Sequence, residues 1–236
     1  MTLQRIYIPS PNYSSRGGAT PRLLVIHTAE GSRTIESLGS FFANPSSQVS
    51  SHTGADDKAN TVGEYVHRGN KAWTAANANP VAVQIELCAF AGWDSAEWHR
   101  HPNMLANCAA WMAEEAGALG IPLVRLTPGQ AQGGGRGICQ HVDLGAWGGG
   151  HHDISGGGFP YDRVLEMARG GGFPTPTPPE DTMAITGFLM EDGRAALFVH
   201  LESGEVKQIE QDRPNADWWK KPDGTYNWIT KGNPGK

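Results

Sequence analysis

The stretch Leu23-Leu24-Val25-Ile26-His27-Thr28 begins with four apolar residues, which lead directly to a histidine. Such a run is typical of a buried strand, and we predict a strand from Arg22 to Thr28. A second apolar run predicts another buried strand from Val81 to Ala89. A histidine at the end of a buried strand is able to line a site, although His27 taken alone is more often an ordinary core or surface histidine.

Helical patterns lie between and after these strands. Thr34 is suited to cap a helix that Asn44-Pro45 ends, and Gly120 ends the helix with the clearest apolar stripe. Because strands alternate with helices, we predict an α/β domain with a mixed central β-sheet flanked by helices. The further predicted elements are a helix over Thr34–Ala43, a strand over Thr61–His67, and helices over Asn103–Leu119 and Tyr161–Ala168.

Composition and charge exclude several classes of function. The chain has 236 residues, enough for one full domain and a small appendage. A net charge of −5 and the lack of a Lys/Arg-rich run argue against nucleic-acid binding. No run of about eighteen apolar residues occurs, and Met1-Thr2-Leu3-Gln4-Arg5 lacks the apolar segment of a signal peptide. We therefore predict no membrane span and synthesis in the cytoplasm without a signal peptide.

The three cysteines, Cys88, Cys108 and Cys139, form no zinc-finger spacing. Cys88 lies in a strand pattern and Cys108 in a helical one, so both are expected to be small buried residues. Cys139 either faces the site near His141 or, as the favoured alternative, occupies a neighbouring strand position. No disulfide framework is predicted, which fits a reducing compartment.

Glu86 is a carboxylate in the middle of an apolar strand. Alternation along the strand places it on the same face as Gln84. A buried carboxylate is costly unless it is paired or lies near a metal. One interpretation is a glutamate satisfied by an arginine or the backbone; the other is a carboxylate that lines a cleft, with a raised pKa suited to general-base chemistry. The second is favoured, because the sequence points to no partner.

A second group of candidate metal ligands lies more than a hundred residues after His27. It comprises His141 and the run His151-His152-Asp153, which follows Gly148-Gly149-Gly150. The glycines also fit a simple loop or a low-complexity tract. Imidazole and carboxylate are ligands that zinc favours, and three protein ligands leave one position open for water. If the fold brings the two groups together, the combination predicts a zinc hydrolase.

Five motifs follow one another between about residues 20 and 170. They are Val25-Ile26-His27-Thr28-Ala29-Glu30-Gly31, Ser50-Ser51-His52, Lys71-Ala72-Trp73-Thr74-Ala75-Ala76-Asn77, Gln84-Ile85-Glu86-Leu87, and His141 with His151-His152-Asp153. In this order they resemble the type-2 N-acetylmuramoyl-L-alanine amidases, a family related to peptidoglycan recognition proteins and to phage endolysins.

The resemblance implies a set of zinc ligands. By position, the first two ligands of the one zinc ion fall on His27 and His141. The third falls best on Asp153, although Ile154-Ser155 stands where the family usually has Pro-Gly. His152 is the alternative third ligand, and Asp153 is preferred because relatives use a carboxylate at this position.

The resemblance also implies the remaining roles. The catalytic glutamate matches Glu86, which takes a proton from water, and His151 occupies the position that stabilises the oxyanion. Trp73, Asn77 and Asn79 are candidates for lining the groove that binds substrate; core packing is an equal alternative for Trp73. The chain departs from many relatives at Thr74 and from some phage members at Ser51, but neither departure removes a ligand.

The function implied is hydrolysis of the amide between N-acetylmuramic acid and L-alanine in bacterial peptidoglycan. We expect a phage lysis enzyme, made in the host cytoplasm and released to the cell wall through another protein. The main alternative is a non-catalytic peptidoglycan-binding protein, which a missing ligand would favour. A cytoplasmic enzyme that recycles muropeptides is less favoured, and a zinc protease would need a His-Glu-x-x-His helix, which the sequence lacks.

The C-terminal part differs in composition. Phe173-Pro174-Thr175-Pro176-Thr177-Pro178-Pro179 predicts an extended linker, residues 174–179, between an amidase domain at 1–173 and a small β-rich module at 180–236. A hairpin is predicted within residues 194–210, and the module loosely resembles one repeat of propeller-type sugar-binding modules. One repeat does not bury its own faces, so we expect either cell-wall binding through its aromatic residues or self-association.

Overall fold

The computed structural model describes residues 3–155 and 157–170, together with the backbone of three later strands at 184–189, 195–200 and 206–210. The chain divides into two compact units, Met1–Phe173 and Pro174–Lys236. The predicted linker at 174–179 and the aromatic residues from 218 onward lie outside the described residues. The functional division into an amidase domain and a wall-binding module stays a prediction.

The first unit is built on a mixed β-sheet. Its strands are β1 Gln4–Tyr7, β2 Tyr13–Ser15, β3 Leu23–Thr28, β4 Thr53–Ala55, β5 Thr61–Glu64, β6 Asn70–Ala72, β7 Ala82–Leu87 and β8 Gly137–Gln140. Six of them form one sheet in the order β1-β5-β4-β7-β3-β8, while β2 and β6 pair separately. Only the β4–β5 pair of the large sheet is antiparallel. The four consecutive strands β4-β7-β3-β8 are therefore parallel.

Helices cover the sheet. They are α1 Ile35–Ala43, α2 Ser95–His99, α3 Pro102–Leu119, α4 Pro128–Gln132 and α5 Tyr161–Ala168, with 3-10 helices at Pro45–Ser47, Ala76–Val81 and His141–Gly148. The larger core packs α1, α3 and α5 against one face of the sheet. A smaller core packs residues of α4 and of the last 3-10 helix against the other face. In the part of the chain that the structure describes, no helix has the length and apolar character needed to cross a membrane.

The structure confirms the predicted α/β class with a mixed, helix-flanked sheet. Predicted element ends differ from the observed ones by a few residues at most; the strand predicted over Thr61–His67, for example, ends at Glu64. The Thr34 side chain accepts a hydrogen bond from the Ser37 backbone N–H at 3.1 Å and begins α1 as predicted. Gly120 ends α3 in the left-handed region with φ 62°. The three cysteines are buried and free.

The second unit contributes three described strands, β9 Ala184–Leu189, β10 Ala195–His200 and β11 Val206–Glu210. They form an antiparallel sheet in the order β11-β10-β9. The hairpin expected within residues 194–210 corresponds to the β10–β11 pair. The role of this unit stays a prediction.

Candidate metal centre and active site

Three adjacent parallel strands bring the candidate residues to one edge of the sheet. In the pairing of β3 with β7, His27 is the register partner of Glu86. Strand β8 pairs with the other side of β3, and His141 follows β8 directly. In open α/β sheets, ligands bind at this edge, outside the carboxyl ends of the strands. Asp153 lies on a loop that reaches the same place. The backbone carbonyl of Asp153 accepts a hydrogen bond from the Val142 N–H at 2.7 Å.

Two imidazoles and a carboxylate meet here. The Nδ1 atoms of His27 and His141 lie 2.9 Å apart. Asp153 Oδ2 lies 3.2 Å from His27 Nδ1, and Asp153 Oδ1 lies 3.1 Å from His141 Nδ1. All three residues are buried, and their candidate ligand atoms lie within 4.8 Å of one another. The structure therefore brings together the three residues that the sequence singled out as ligands.

The outer nitrogen of each imidazole faces an oxygen. His27 Nε2 lies 3.0 Å from the side-chain oxygen Oε1 of Gln84, and His141 Nε2 lies 2.9 Å from the carbonyl oxygen of Gly148. A neutral imidazole carries one N–H, so these contacts hold the proton on Nε2 and leave the Nδ1 lone pair facing the cluster. Zinc-bound histidines generally donate their other N–H in this way.

The donor set fits zinc. Two imidazole lone pairs and a carboxylate repel one another at these distances unless a cation or a proton lies between them. Around a tetrahedral zinc ion with bonds of about 2.0–2.1 Å, ligand atoms lie about 3.3 Å apart. The observed separations of 2.9 to 3.2 Å are close to that value. Cys139 packs in the smaller core and takes no part in the cluster.

Electrostatics favour the ligating forms of these residues. Burial lowers the pKa of His27, which keeps the ring neutral and able to bind metal. Burial acts to raise the pKa of Asp153, but its interactions with the imidazoles of His141 and His27 outweigh burial and hold that pKa well below its usual range. The Thr28 backbone N–H, 3.4 Å from Oδ2, also faces the carboxylate. Asp153 is therefore ionised at neutral pH.

Glu86 lies beside the cluster, in register with His27. The residue is 9% exposed, and its Oε2 atom accepts no hydrogen bond from any residue that the structure describes. Burial raises the pKa of Glu86 well above its ordinary value, and the negative charges of Asp153 and Glu30 add to the effect. These features are those of a carboxylate that lines a cleft, rather than of a glutamate satisfied by an arginine or the backbone.

A cavity of about 420 Å³ opens over the cluster. His151 lies at its edge, where it is exposed and its ring stacks on that of His141 with centroids 4.5 Å apart. Trp73 is half-buried in the wall and donates from Nε1 to Ser14 Oγ at 3.0 Å. Phe41 and Val49, which are 52% and 39% exposed, make another part of the wall apolar.

Three of the residues considered for the site lie outside the ligand cluster. His152 is 68% exposed, with Nε2 3.9 Å from Glu30 Oε2, so it stays outside the ligand cluster. Asn77 is exposed and does not line the cavity. The suggestion that Asn79 lines the groove needs correction: the residue is 7% exposed, and its side-chain oxygen is occupied by hydrogen bonds from Thr74, Ala75 and Gln84. Asn79 therefore lies behind the cavity wall and holds the backbone of Thr74 and Ala75 in place through these hydrogen bonds.

Two residues with clear contacts to the imidazoles received no role from the sequence. Gln84 contacts His27, and the Gly148 carbonyl contacts His141. Alternation along β7 gave a usable signal for Gln84, because it lies two positions before Glu86 on the same face. The glycine tract before His151 gave no such signal, since a backbone carbonyl is not visible in a sequence.

Comparisons with known proteins identify the family and the fold. The N-acetylmuramoyl-L-alanine amidase family matches residues 17–155. No curated protein matches the chain. Among solved structures, the chain is similar to the Staphylococcus aureus hydrolase AmiA in complex with its ligand, with TM-score 0.54 and 21% identity over 71% of this chain and 82% of that one.

Two amidases from Clostridium intestinale URNW share the fold as well. LysC gives a TM-score of 0.52 at 12% identity, covering 71% of this chain and 99% of its own. The endolysin LysCS gives 0.53 at 11% identity, covering 72% and 97%. The family match spans more than half of the chain and includes the three clustered residues and Glu86. The chain therefore belongs to the N-acetylmuramoyl-L-alanine amidase family.

Proposed function

We propose that this amidase uses one zinc ion, held by His27, His141 and Asp153, to cleave the amide between N-acetylmuramic acid and L-alanine in peptidoglycan. The observation that carries the proposal is the convergence of three buried acceptor groups beside a carboxylate whose Oε2 atom has no hydrogen-bond partner among the described residues. When bound, zinc would polarise the scissile carbonyl and lower the pKa of a water molecule. A buried cluster of this kind without a cation would be costly to fold.

Glu86 acts as the proton carrier. Its carboxylate takes a proton from the attacking water and later delivers it to the leaving amine of L-alanine. Because burial raises its pKa, the carboxyl group retains the proton between the two events. The apolar strand around Glu86 also keeps competing hydrogen-bond donors away from its Oε2 atom.

His151 and Trp73 orient the substrate and the oxyanion. His151 lies at the cavity edge against His141, where a ring N–H is able to donate to the developing oxyanion. Trp73 offers a half-buried aromatic face in the cavity wall, and its indole N–H is already used by Ser14. Because Trp73 lines the cavity, its ring is placed to pack on the glycopeptide.

Digestion of purified peptidoglycan tests the proposal. The full chain, loaded with zinc, is expected to release new L-alanine amino termini and no new reducing sugars. Chelator should abolish the release, and added zinc should restore it. Release of reducing sugars would identify a glycosidase, and full activity after removal of the metal would exclude the zinc mechanism.

Glu86→Gln separates this enzyme from a non-catalytic peptidoglycan-binding protein. The variant keeps the size of the side chain but has no proton acceptor, so we expect a loss in kcat of about 10²- to 10⁴-fold. Zinc affinity and binding to peptidoglycan should stay unchanged. A wild-type protein that binds peptidoglycan but is no more active than the variant would favour the recognition role.

We further propose that the enzyme serves phage lysis from inside the host. The endolysin LysCS, which shares the fold, makes this role a reasonable one to test. Production in bacterial cytoplasm is expected to leave cells intact until a second agent opens the membrane, for example a co-produced pore-forming protein. Lysis without that agent would contradict the requirement for release through another protein.

A further inference from the structure

We propose that Asn79 and Gln84 are positioning residues that fix the tautomer of His27 and so prepare its Nδ1 atom for metal. The inference rests on the proposed zinc site. It concerns a chain of hydrogen bonds that runs from the backbone of the segment lining the cavity, through two buried amide side chains, to the imidazole.

This chain of hydrogen bonds starts at the backbone N–H groups of Thr74 and Ala75. They lie 3.1 and 2.6 Å from one side-chain atom of Asn79. A backbone N–H only donates, so the Asn79 atom that faces both of them must be the oxygen Oδ1. This removes the usual ambiguity between the two ends of an amide side chain.

The next link follows from the first. The same Oδ1 atom of Asn79 lies 2.9 Å from Gln84. Facing an acceptor, Gln84 must present its amino group Nε2, and its oxygen Oε1 then points the other way, 3.0 Å from His27 Nε2. Gln84 is fully buried and Asn79 is 7% exposed, so water does not compete for these contacts.

The last link sets the imidazole. An oxygen at 3.0 Å from His27 Nε2 requires that nitrogen to carry the proton. Asp153 acts in the opposite direction, because its carboxylate lies 3.2 Å from Nδ1 and would hold a proton there. Gln84 therefore favours the tautomer that binds metal against the one that Asp153 favours. Without Gln84 in this orientation, the Nδ1 lone pair would be blocked by a proton.

Four substitutions in the full-length protein test this hydrogen-bond relay, which runs from the Thr74 and Ala75 backbone through Asn79 and Gln84 to His27. Gln84→Met removes the acceptor, and Asn79→Leu releases Gln84 to rotate. Asn79→Asp keeps an oxygen acceptor for the same three donors, which is a favourable setting for a carboxylate. Thr74→Val is the matched control: it removes the 2.5 Å hydrogen bond from Thr74 Oγ1 to the Ser50 carbonyl in the same segment but keeps the Thr74 N–H.

Two measurements are needed. Nitrogen NMR of histidine-labelled, zinc-free protein reports which ring nitrogen of His27 carries the proton, and chelator competition gives the zinc Kd. We expect Nε2–H in the wild type, in Asn79→Asp and in Thr74→Val, with zinc Kd values equal to within about twofold. Gln84→Met and Asn79→Leu should shift the proton toward Nδ1 and weaken zinc binding by about 10- to 100-fold.

Several results would overturn the relay. A wild-type His27 protonated on Nδ1 would do so, as would an unchanged tautomer and Kd in Gln84→Met and Asn79→Leu. Thr74→Val with the same loss of zinc affinity would reduce the effect to general loosening of the segment. If the wild type bound no zinc, the proposed function would fail, while the tautomers in the zinc-free proteins would still decide the relay.

Discussion

At the scale of single residues, Glu86 couples folding stability to pH. Its folded-state pKa lies well above the ordinary value of 4.5, so the folded protein binds this proton more tightly than the unfolded chain. Stability is therefore present below the unfolded pKa and is lost as pH rises toward the folded pKa. Glu86→Gln removes the ionisable carboxyl group, and with it this loss of folding stability at higher pH.

We predict that the metal-free Glu86→Gln variant is more stable than metal-free wild type at pH 7–8. The expected gain in the free energy of unfolding is about 1–3 kcal/mol, the typical cost of burying an unsatisfied polar group. Urea denaturation with chelator present measures it. The difference should vanish near pH 3, and the exposed Glu166→Gln should show none of it. A wild type that is more stable than the variant at pH 8 would contradict the argument.

Asp153 and His152 are adjacent in sequence but differ in their expected effect on zinc binding. Zinc at one hundred times its Kd stabilises a folded protein by about 2.7 kcal/mol. We predict that His152→Ala keeps the zinc-induced rise in Tm, because His152 lies outside the cluster. Asp153→Asn, which has the same shape but a neutral oxygen, should lose most of that rise. The reverse pattern in thermal unfolding would assign the third ligand to His152.

Sequence patterns located the three clustered residues better than the residues that contact them from behind. His27 and Glu86 were visible because a buried strand carries polar residues there only at a cost. Asn79 was misplaced into the groove, since a sequence does not show that two backbone N–H groups already occupy its oxygen. Assigning Asp153 over its neighbours depended on the family resemblance, because three successive ligand-type residues look equivalent without coordinates.

At the scale of elements, the 3-10 helix His141–Gly148 positions the imidazole of its own first residue, His141. Its last residue, Gly148, presents the carbonyl that faces His141 Nε2. A Cβ atom at Gly148 would lie 2.5 Å from the Leu144 Cβ, so the backbone would have to move. The glycine is therefore required by close packing.

Gly148→Ala is predicted to weaken zinc binding by about tenfold or more, as loss of an outer-shell partner does, and to lower stability. Chelator competition and thermal unfolding measure the two effects. Gly92→Ala is the matched control, because a Cβ there meets nothing within 4 Å. Zinc affinity unaffected by Gly148→Ala would show that the carbonyl is not needed to orient His141.

Helix α3 offers a prediction with opposite signs at two glycines. Gly117 lies exposed in the last turn of the helix with open space for a Cβ, so Gly117→Ala should stabilise the protein by about 0.5–1 kcal/mol. Gly120 adopts φ 62° at the helix end, and Gly120→Ala should cost about 1 kcal/mol. Chemical denaturation measures both. Equal effects at the two sites would contradict the assigned helix end.

Helices and strands long enough to show a hydrophobic repeat were predictable from the sequence, whereas three-residue strands were not. The α3 pattern spans several turns, and β3 and β7 are continuous apolar runs, so each carries its own signal. β4 and β6 have three residues each, which is too short for a period. Their place is set by pairing with distant strands, as in the register of Gly54 with Glu86. That information lies in the tertiary structure.

At the scale of the whole molecule, the two compact units are expected to have different functions. All residues assigned to metal, proton transfer and the cavity lie within Met1–Phe173. We therefore expect hydrolysis of a small soluble substrate to need only this unit, whereas action on an insoluble wall would gain from a second point of attachment. Two attachments raise the effective concentration of the enzyme at its substrate without adding a catalytic contact.

We predict that residues 180–236 supply that second attachment through their aromatic side chains, whose faces are suited to sugars. Replacing Trp218 and Trp219 by alanine in the full chain should weaken pelleting with purified cell walls by about tenfold or more. Cleavage of a soluble muropeptide should stay unchanged, because no assigned site residue is altered. Equal pelleting would reject wall binding by these two residues. Sedimentation of the full chain then tests the remaining alternative, since a single β-rich repeat that assembles with other copies would make the enzyme oligomeric.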